Sequence, residues 1–418
     1  MRSHRSHRLG RLLKRFTRSR SLSLPLLLAL TWLAPCLFPE PTGWSHKVNA
    51  QAASRAAGIF APDGLLKLFQ VELVNAHGND LPVATANTIT VNSTADTSGN
   101  VSICTLRDAI TAANTNTATG GCPAGSPGMD TINFNLGHIC AVSPCTITLS
   151  GNLPLITEDL TIDGLGFFPT ISGNALINVL AINGAGTVNV SNLRIKNGNA
   201  SNGGGINNLL GATLTVTNVT FSGNNSNDGN GITDGGGAIK QWNGGTLNIV
   251  NSSFLGNSAA KVGGAIQAIG GANVTVSGST FSNNSTTLTG GAILQDSGTL
   301  GVSNSTFTNN TAGYGGAISA TSGVTLAMAN VTFNSNNVCS PNCVNGANGG
   351  AIYQAGGPLA VANSTFNANI ANLGGGIYQG GGGTSIDGTS FSSNQASIGG
   401  AIESVGALLI ATSRLLKN

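Results

Sequence analysis

Gly263-Gly264-Ala265-Ile266 is followed fifteen residues later by Phe281, and Asn284 stands three residues past that Phe. Gly290-Gly291-Ala292-Ile293 is then followed by Phe307 and Asn310. The same unit recurs along the chain. Its Ile falls at Ile206, Ile239, Ile266, Ile293, Ile318, Ile352, Ile377 and Ile402. Its Phe falls at Phe221, Phe254, Phe281, Phe307, Phe333, Phe366 and Phe391, and its Asn at Asn224, Asn257, Asn284, Asn310, Asn336, Asn369 and Asn394. All the Phe–Asn pairs keep register, which excludes coincidence.

Inside each unit the apolar side chains alternate with Thr, Ser and Asn. Leu247 and Ile249 precede Phe254, Val274 and Val276 precede Phe281, and Leu300 and Val302 precede Phe307. A period of two is the mark of a half-buried strand, and no stretch of the repeat carries a helical period. So short a unit cannot bury its apolar face alone, but stacked copies can. The expected fold is all-β: a right-handed parallel β-helix, its hand set by the general preference of crossover connections. Roughly eleven coils would make a rod about 50 Å long. Phe is expected to stack in the interior, and Asn to hydrogen-bond along a ladder at a turn. The Gly pairs allow left-handed backbone or close approach of coils. They lack the Lys and helix of a phosphate-binding loop. Asn-x-Ser/Thr triplets at Asn251, Asn304, Asn330 and Asn363 read as part of the coil pattern rather than as glycan sites.

Two coils are long, Phe221 to Phe254 and Phe333 to Phe366. Their extra residues lie between the Asn and the Gly pair, so both insertions are expected on one turn line, roughly 19 Å apart at about 4.8 Å per coil. Insertions on one face of a solenoid often mark the binding face. The first reads Asn227-Asp228-Gly229-Asn230-Gly231-Ile232-Thr233-Asp234. Asp228, Asn230 and Asp234 form a Ca²⁺ candidate, since oxygen ligands alternate with Gly; a plain polar turn is the competing reading. Trp242 follows in the same coil, and Tyr353 and Tyr378 follow later; all three are binding-face candidates, because exposed aromatics serve as sugar platforms and hot spots. At the other end of the repeat, Leu408, Ile410, Leu415 and Asn418 keep the register, which predicts an open edge or a continuing frame.

Working back toward the start, eight of the 18 basic residues lie in the first twenty positions, followed by the apolar run Ser21 to Phe38. Ala50-Gln51-Ala52 offers a small-x-small cleavage site, so residues 1–52 read as a signal peptide and 53–87 as a linker. From Ala53 onward nine basic residues face fourteen acidic ones, a net charge near −5. That balance argues against nucleic acid as a partner. No later segment is long and apolar enough to span a bilayer. Six cysteines remain beyond the leader: Cys104, Cys122, Cys140, Cys145, Cys339 and Cys343. An even count in an exported chain suggests disulfides, and of the fifteen pairings sequence neighbours favour Cys104–Cys122, Cys140–Cys145 and Cys339–Cys343. A zinc site is the rival, weakened because His138 alone lies near a Cys pair.

Residues 88–174 are less regular. Cys104-Thr105-Leu106-Arg107-Asp108-Ala109-Ile110 precedes Ala112-Ala113-Asn114, Asp130-Thr131-Ile132-Asn133-Phe134, Leu160-Thr161-Ile162-Asp163-Gly164 and Ile171-Ser172-Gly173. This order closely resembles the N-terminal region of bacterial secreted β-helix proteins named for a CSLREAI motif. The Gly-Gly-Ala-Ile and Phe-x-x-Asn units, in residues 175–418, resemble polymorphic outer-membrane protein repeats. Leu106 to Ala113 is expected to be a short helix capping the first coil. The resemblance implies export, a pectate-lyase-like solenoid and a cell-surface role, with no defined catalytic site.

Many β-helices cleave acidic polysaccharides, so the acids matter. Beyond residue 151 there is no His, and the acids are Glu158, Asp159, Asp163, Asp228, Asp234, Asp296, Asp387 and Glu403. Glycoside hydrolysis needs two carboxylates facing each other across a cleft, and no such pair is legible. Arg194-Ile195-Lys196 is like the substrate-binding tripeptide of polygalacturonases, but reads more simply as two outward charges around an interior Ile. The expected function is therefore a secreted or surface-displayed, non-catalytic, adhesin-like or structural module for cells, matrix or glycans. It needs no cofactor, unless Ca²⁺ binds. A polysaccharide lyase or hydrolase and a passive spacer of a longer protein are the alternatives.

Overall fold

The computed structural model describes residues 87–137, 140, 145–227, 234–338 and 346–418, all within one compact unit, residues 84–418. The expected signal peptide and nearly all of the linker lie outside the described residues, as do Asp228, Asn230, Cys339 and Cys343.

The chain coils into a right-handed parallel β-helix. Three long parallel sheets form its walls, with twelve, eleven and nine strands, and a four-stranded sheet lies at one turn. The twelve-stranded sheet holds the alternating apolar strands. Thr246–Val250 pairs with Asn273–Ser277 and that with Thr299–Ser303, each residue beside its equivalent one coil on. The eleven-stranded sheet carries the Phe residues, and the nine-stranded sheet carries the Ile residues. Strands at both ends of residues 88–174 join these walls: Thr88–Val91 pairs with Asp130–Phe134, that with Leu160–Asp163 and that with Thr187–Ser191, while Thr170–Ser172 pairs with Arg194–Lys196. Solenoid geometry therefore begins at Thr88, well before the repeat becomes legible.

Every Phe of the repeat is wholly buried. Their rings stack from coil to coil with centroids 4.5 to 5.0 Å apart, the coil spacing of a parallel sheet. Ile147, Ile171 and Ile195 hold the same column in earlier coils, and Leu415 holds it in the last. The Asn ladder forms as expected. Asn310 Nδ2 donates to Asn336 Oδ1 at 2.9 Å and to Phe281 O at 3.0 Å. Its Oδ1 accepts from both the backbone and the side chain of Asn284, at 3.0 and 2.9 Å. For a buried amide, bonds of this kind offset the cost of leaving water.

A Ser ladder and a set of buried Gln side chains add to these. Ser252 N donates to Ser279 Oγ at 3.0 Å, and Ser279 N to Ser305 Oγ at 3.1 Å, at the turn before the Phe strand. Gln241, Gln295, Gln354 and Gln379 are buried at the end of the Ile strands and donate to backbone carbonyls. The Asn of the triplets sits at the exposed left-handed position of a turn, as at Asn304 with φ 48°. In the Gly pairs the two glycines do different jobs. Gly290 adopts φ +70°, while a Cβ on Gly291 would run into the Gly316 carbonyl of the next coil.

The cap is built from the Cys-Thr-Leu-Arg-Asp-Ala-Ile heptapeptide. Its helix runs Leu106–Thr115, two residues beyond the expected end, with Thr105 as N-cap accepting from the Asp108 N–H. Leu106, Ala109, Ile110, Ala112 and Ala113 face the core. Asp108, fully buried, accepts from the Gly99 N–H. Arg107 pairs with Asp96 at 2.9 Å and donates to the Gly151 carbonyl at 2.8 Å. Cys104–Cys122 and Cys140–Cys145 form disulfides. At the other end, Leu408, Leu409, Leu415 and Leu416 are exposed.

Candidate functional site

With Phe, Asn, Ser and Gln engaged inside the coils, the distinctive outward side chains gather on the nine-stranded sheet. Its strands are three residues long, and the middle residue points out. Register places Lys240, Gln267, Leu294, Ser319, Tyr353, Tyr378 and Glu403 in one row along the axis. The segment preceding each Gly pair runs beside this row, linked by the bridges Gly235–Val262–Thr289–Tyr314. Lys240, Gln267, Leu294 and Ser319 are buried although they point away from the core, and Tyr353 and Tyr378 are half-buried.

At one end of the row, Lys240 has no exposed surface. Its Nζ donates to Asn202 Oδ1 and lies 3.7 Å from the centroid of the Trp242 ring. Burial pushes its pKa down to about 7, against the opposing charge of Asp234. Asp234 is 9% exposed, and its charge acts on Lys240. Trp242 is half-buried with one face over the ammonium, and its Nε1 is buried without a hydrogen-bond partner.

At the other end stand three tyrosines. The Tyr353 and Tyr378 rings stack at 5.4 Å with planes 4° apart. The Tyr314 ring meets Tyr353 at 5.3 Å, tilted by 59°. Burial, then the neighbouring Tyr378 and Tyr314, hold the Tyr353 hydroxyl above its ordinary pKa. Tyr353 and Tyr378 thus cover one face of each other. Sequence reasoning found Tyr353 and Tyr378 but missed Tyr314, which comes from the segment before the Gly pair, and missed Lys240. The signal for Lys240 was available: a Lys directly after the Ile of a repeat unit.

The acids in the early coils hold loops. Asn116 Nδ2 donates to Glu158, the Gly186 and Thr187 N–H groups donate to Asp159, and the Leu165 N–H and Asn192 Nδ2 donate to Asp163. Arg194 and Lys196 flank buried Ile195, and Arg194 donates to the Phe168 carbonyl. A groove of about 420 Å³ on the twelve-stranded sheet, lined by Ala327, Pro358, Ala360, Ser385 and Leu409, carries no charged side chain. Among the described residues no group of three or more His, Cys, Asp or Glu side chains gathers as a metal site. Nor is any helix among them long and apolar enough to cross a membrane.

No curated protein matches the chain. A solved structure, the catalytic domain of a GH87 alpha-1,3-glucanase in complex with tetrasaccharides, aligns over 69% of this chain and 54% of its own, at 13% identity and a TM-score of 0.35. The chain thus spans about half the length of that domain. Residues 251–269, 278–295 and 304–321 match the Chlamydia polymorphic membrane protein repeat, and the parallel β-helix carries these repeats in successive coils. The match points to a surface or outer-membrane type of β-helix protein.

Proposed function

We propose that this chain is an exported, non-catalytic surface module. Its β-helix is a stiff scaffold, and the outer face of the nine-stranded sheet, together with the two insertions, binds cells, matrix or glycans. The observation that carries the reading is a division of labour. Phe, Asn and Ser repeat and are engaged within the coils. The side chains that break the repeat stand together on one outward row. Repetition supplies rigidity, and departures from it supply shape and chemistry, which a binding surface needs.

The test removes the insertions. Residues 226–232 and 338–346 are deleted separately, folding is verified by circular dichroism, and adhesion to cells and to immobilised glycans is measured. Loss of binding in a folded deletion supports the reading. Two folded deletions that bind like the parent contradict it. Release of reducing ends or unsaturated uronides from pectic substrates would replace it with an enzymatic one.

A further inference from the structure

Lys240 is a buried amine that the binding reading does not use. Register places it between Asn207 of the preceding coil and Gln267 of the next. The side-chain oxygens of both amides are buried without hydrogen-bond partners, so neither solvates an ammonium. Instead Nζ donates to the side-chain carbonyl of Asn202, 38 residues earlier in the chain. Trp242 covers the amine, and Asp234 is close enough to act on its charge. The arrangement brings together an amine, a primary amide and a carboxyl in a site sheltered from water.

We propose that Lys240 and Asn202 become joined by an isopeptide bond that staples two adjacent coils, with Asp234 relaying the proton. The neutral amine attacks Cγ of Asn202. The Nζ–Cγ bond forms and the Cγ–Nδ2 bond breaks. A proton leaves Nζ through the Asp234 carboxyl and arrives on Nδ2, which departs as ammonia. The reaction exchanges one amide for another and needs no oxidant, reductant or activated co-reactant. Three features of the site favour it. The hydrogen bond to Oδ1 holds Nζ next to the carbonyl carbon, so the encounter is intramolecular. A low-dielectric site strengthens the pull of a carboxyl on developing charge. And a lysine held near neutral pKa has a neutral fraction at pH 7 about a thousand times that of an ordinary one.

Peptide mass spectrometry of the full chain tests this. Trypsin cleaves after Lys196, Lys240 and Lys261 in an unmodified chain. In the joined chain Lys240 is blocked. Residues 197–261 should then appear as one piece lighter by one ammonia, and chymotrypsin should leave its two halves connected after cutting at Phe221. Lys240→Arg and Asn202→Ala, each verified as folded by circular dichroism, should lose the connected species. Asp234→Asn should sharply lower its yield. A control is built into the sequence, because Asn202-Gly203 can also lose ammonia by closing a succinimide on its own backbone. That product leaves Lys240 cleavable and survives in Lys240→Arg. Recovery of separate 197–240 and 241–261 peptides from folded wild-type chain, with or without the ammonia loss, overturns the proposal.

Discussion

In the cap Asp108 has no second copy, whereas in the coils Asn310 stands in a column with seven other asparagines among the described residues. The two regions meet one requirement by different routes. A buried polar group must be paired. The cap pairs its buried charges with dedicated partners: Asp108 with Gly99, Asp130 with Ser126, Arg107 with Asp96. In the Asn and Ser columns the coils pair each group with its own equivalent one coil away. Loss of a partner in the cap should therefore stay local, whereas loss of a ladder residue should be felt by the coils on either side.

The largest expected effect is in the interior column. Phe307 stacks between Phe281 and Phe333. Phe307→Ala should destabilise the protein by about 3–5 kcal/mol, as buried aromatic truncations do. Thermal unfolding checks this, and a midpoint within one degree of the parent would break the ladder side of the comparison.

The cap disulfide comes next. Cys104–Cys122 closes a loop of 18 residues, so Cys104→Ser with Cys122→Ser should cost about 3 kcal/mol. Hydrogen exchange should show the helix Leu106–Thr115 opening while strands of the Phe sheet stay protected. Simultaneous loss of protection in both regions would show that the cap is not a separate unit.

The smallest effect is electrostatic. Burial raises the pKa of Asp96, but the bonds from Arg107 and Ser150 outweigh it, and the folded value lies below the ordinary one. The contribution of this pair is therefore intact above pH ~4 and disappears as the pH falls through the folded-state value. Asp96→Asn should cost about 1 kcal/mol at neutral pH and nothing at low pH. Denaturant titrations at the two pH values check the sign. An equal cost at both would leave the shift without a role in stability.

The coils were the legible half. Phe and Asn recur in the same chemical form at a near-fixed interval, so the Phe column, the Asn ladder and the strand faces follow from spacing. The buried Gln side chains escaped because Ala268 and Ala320 interrupt their column, so the type does not repeat. The cap resisted for a different reason. Asp108 and Asp130 look like ordinary surface acids, and only the fold reveals that backbone donors surround them. The outward row was half legible. Tyr353 and Tyr378 occupy equivalent positions 25 residues apart. Tyr314 and Asn202 reach the row from other positions in the repeat unit, which spacing does not connect.

The measurement that bears most directly on the division between scaffold and surface is adhesion by two folded double variants. One is Tyr353→Ala with Tyr378→Ala, on the outward row. The other is Thr306→Ala with Thr332→Ala, on the outer side of the Phe sheet, where the repeat is unbroken. The expected result is that the tyrosine variant loses binding to cells or glycans and the threonine variant keeps it. Equal binding by both, or loss only in the threonine variant, would contradict the placement of the binding face on the nine-stranded sheet.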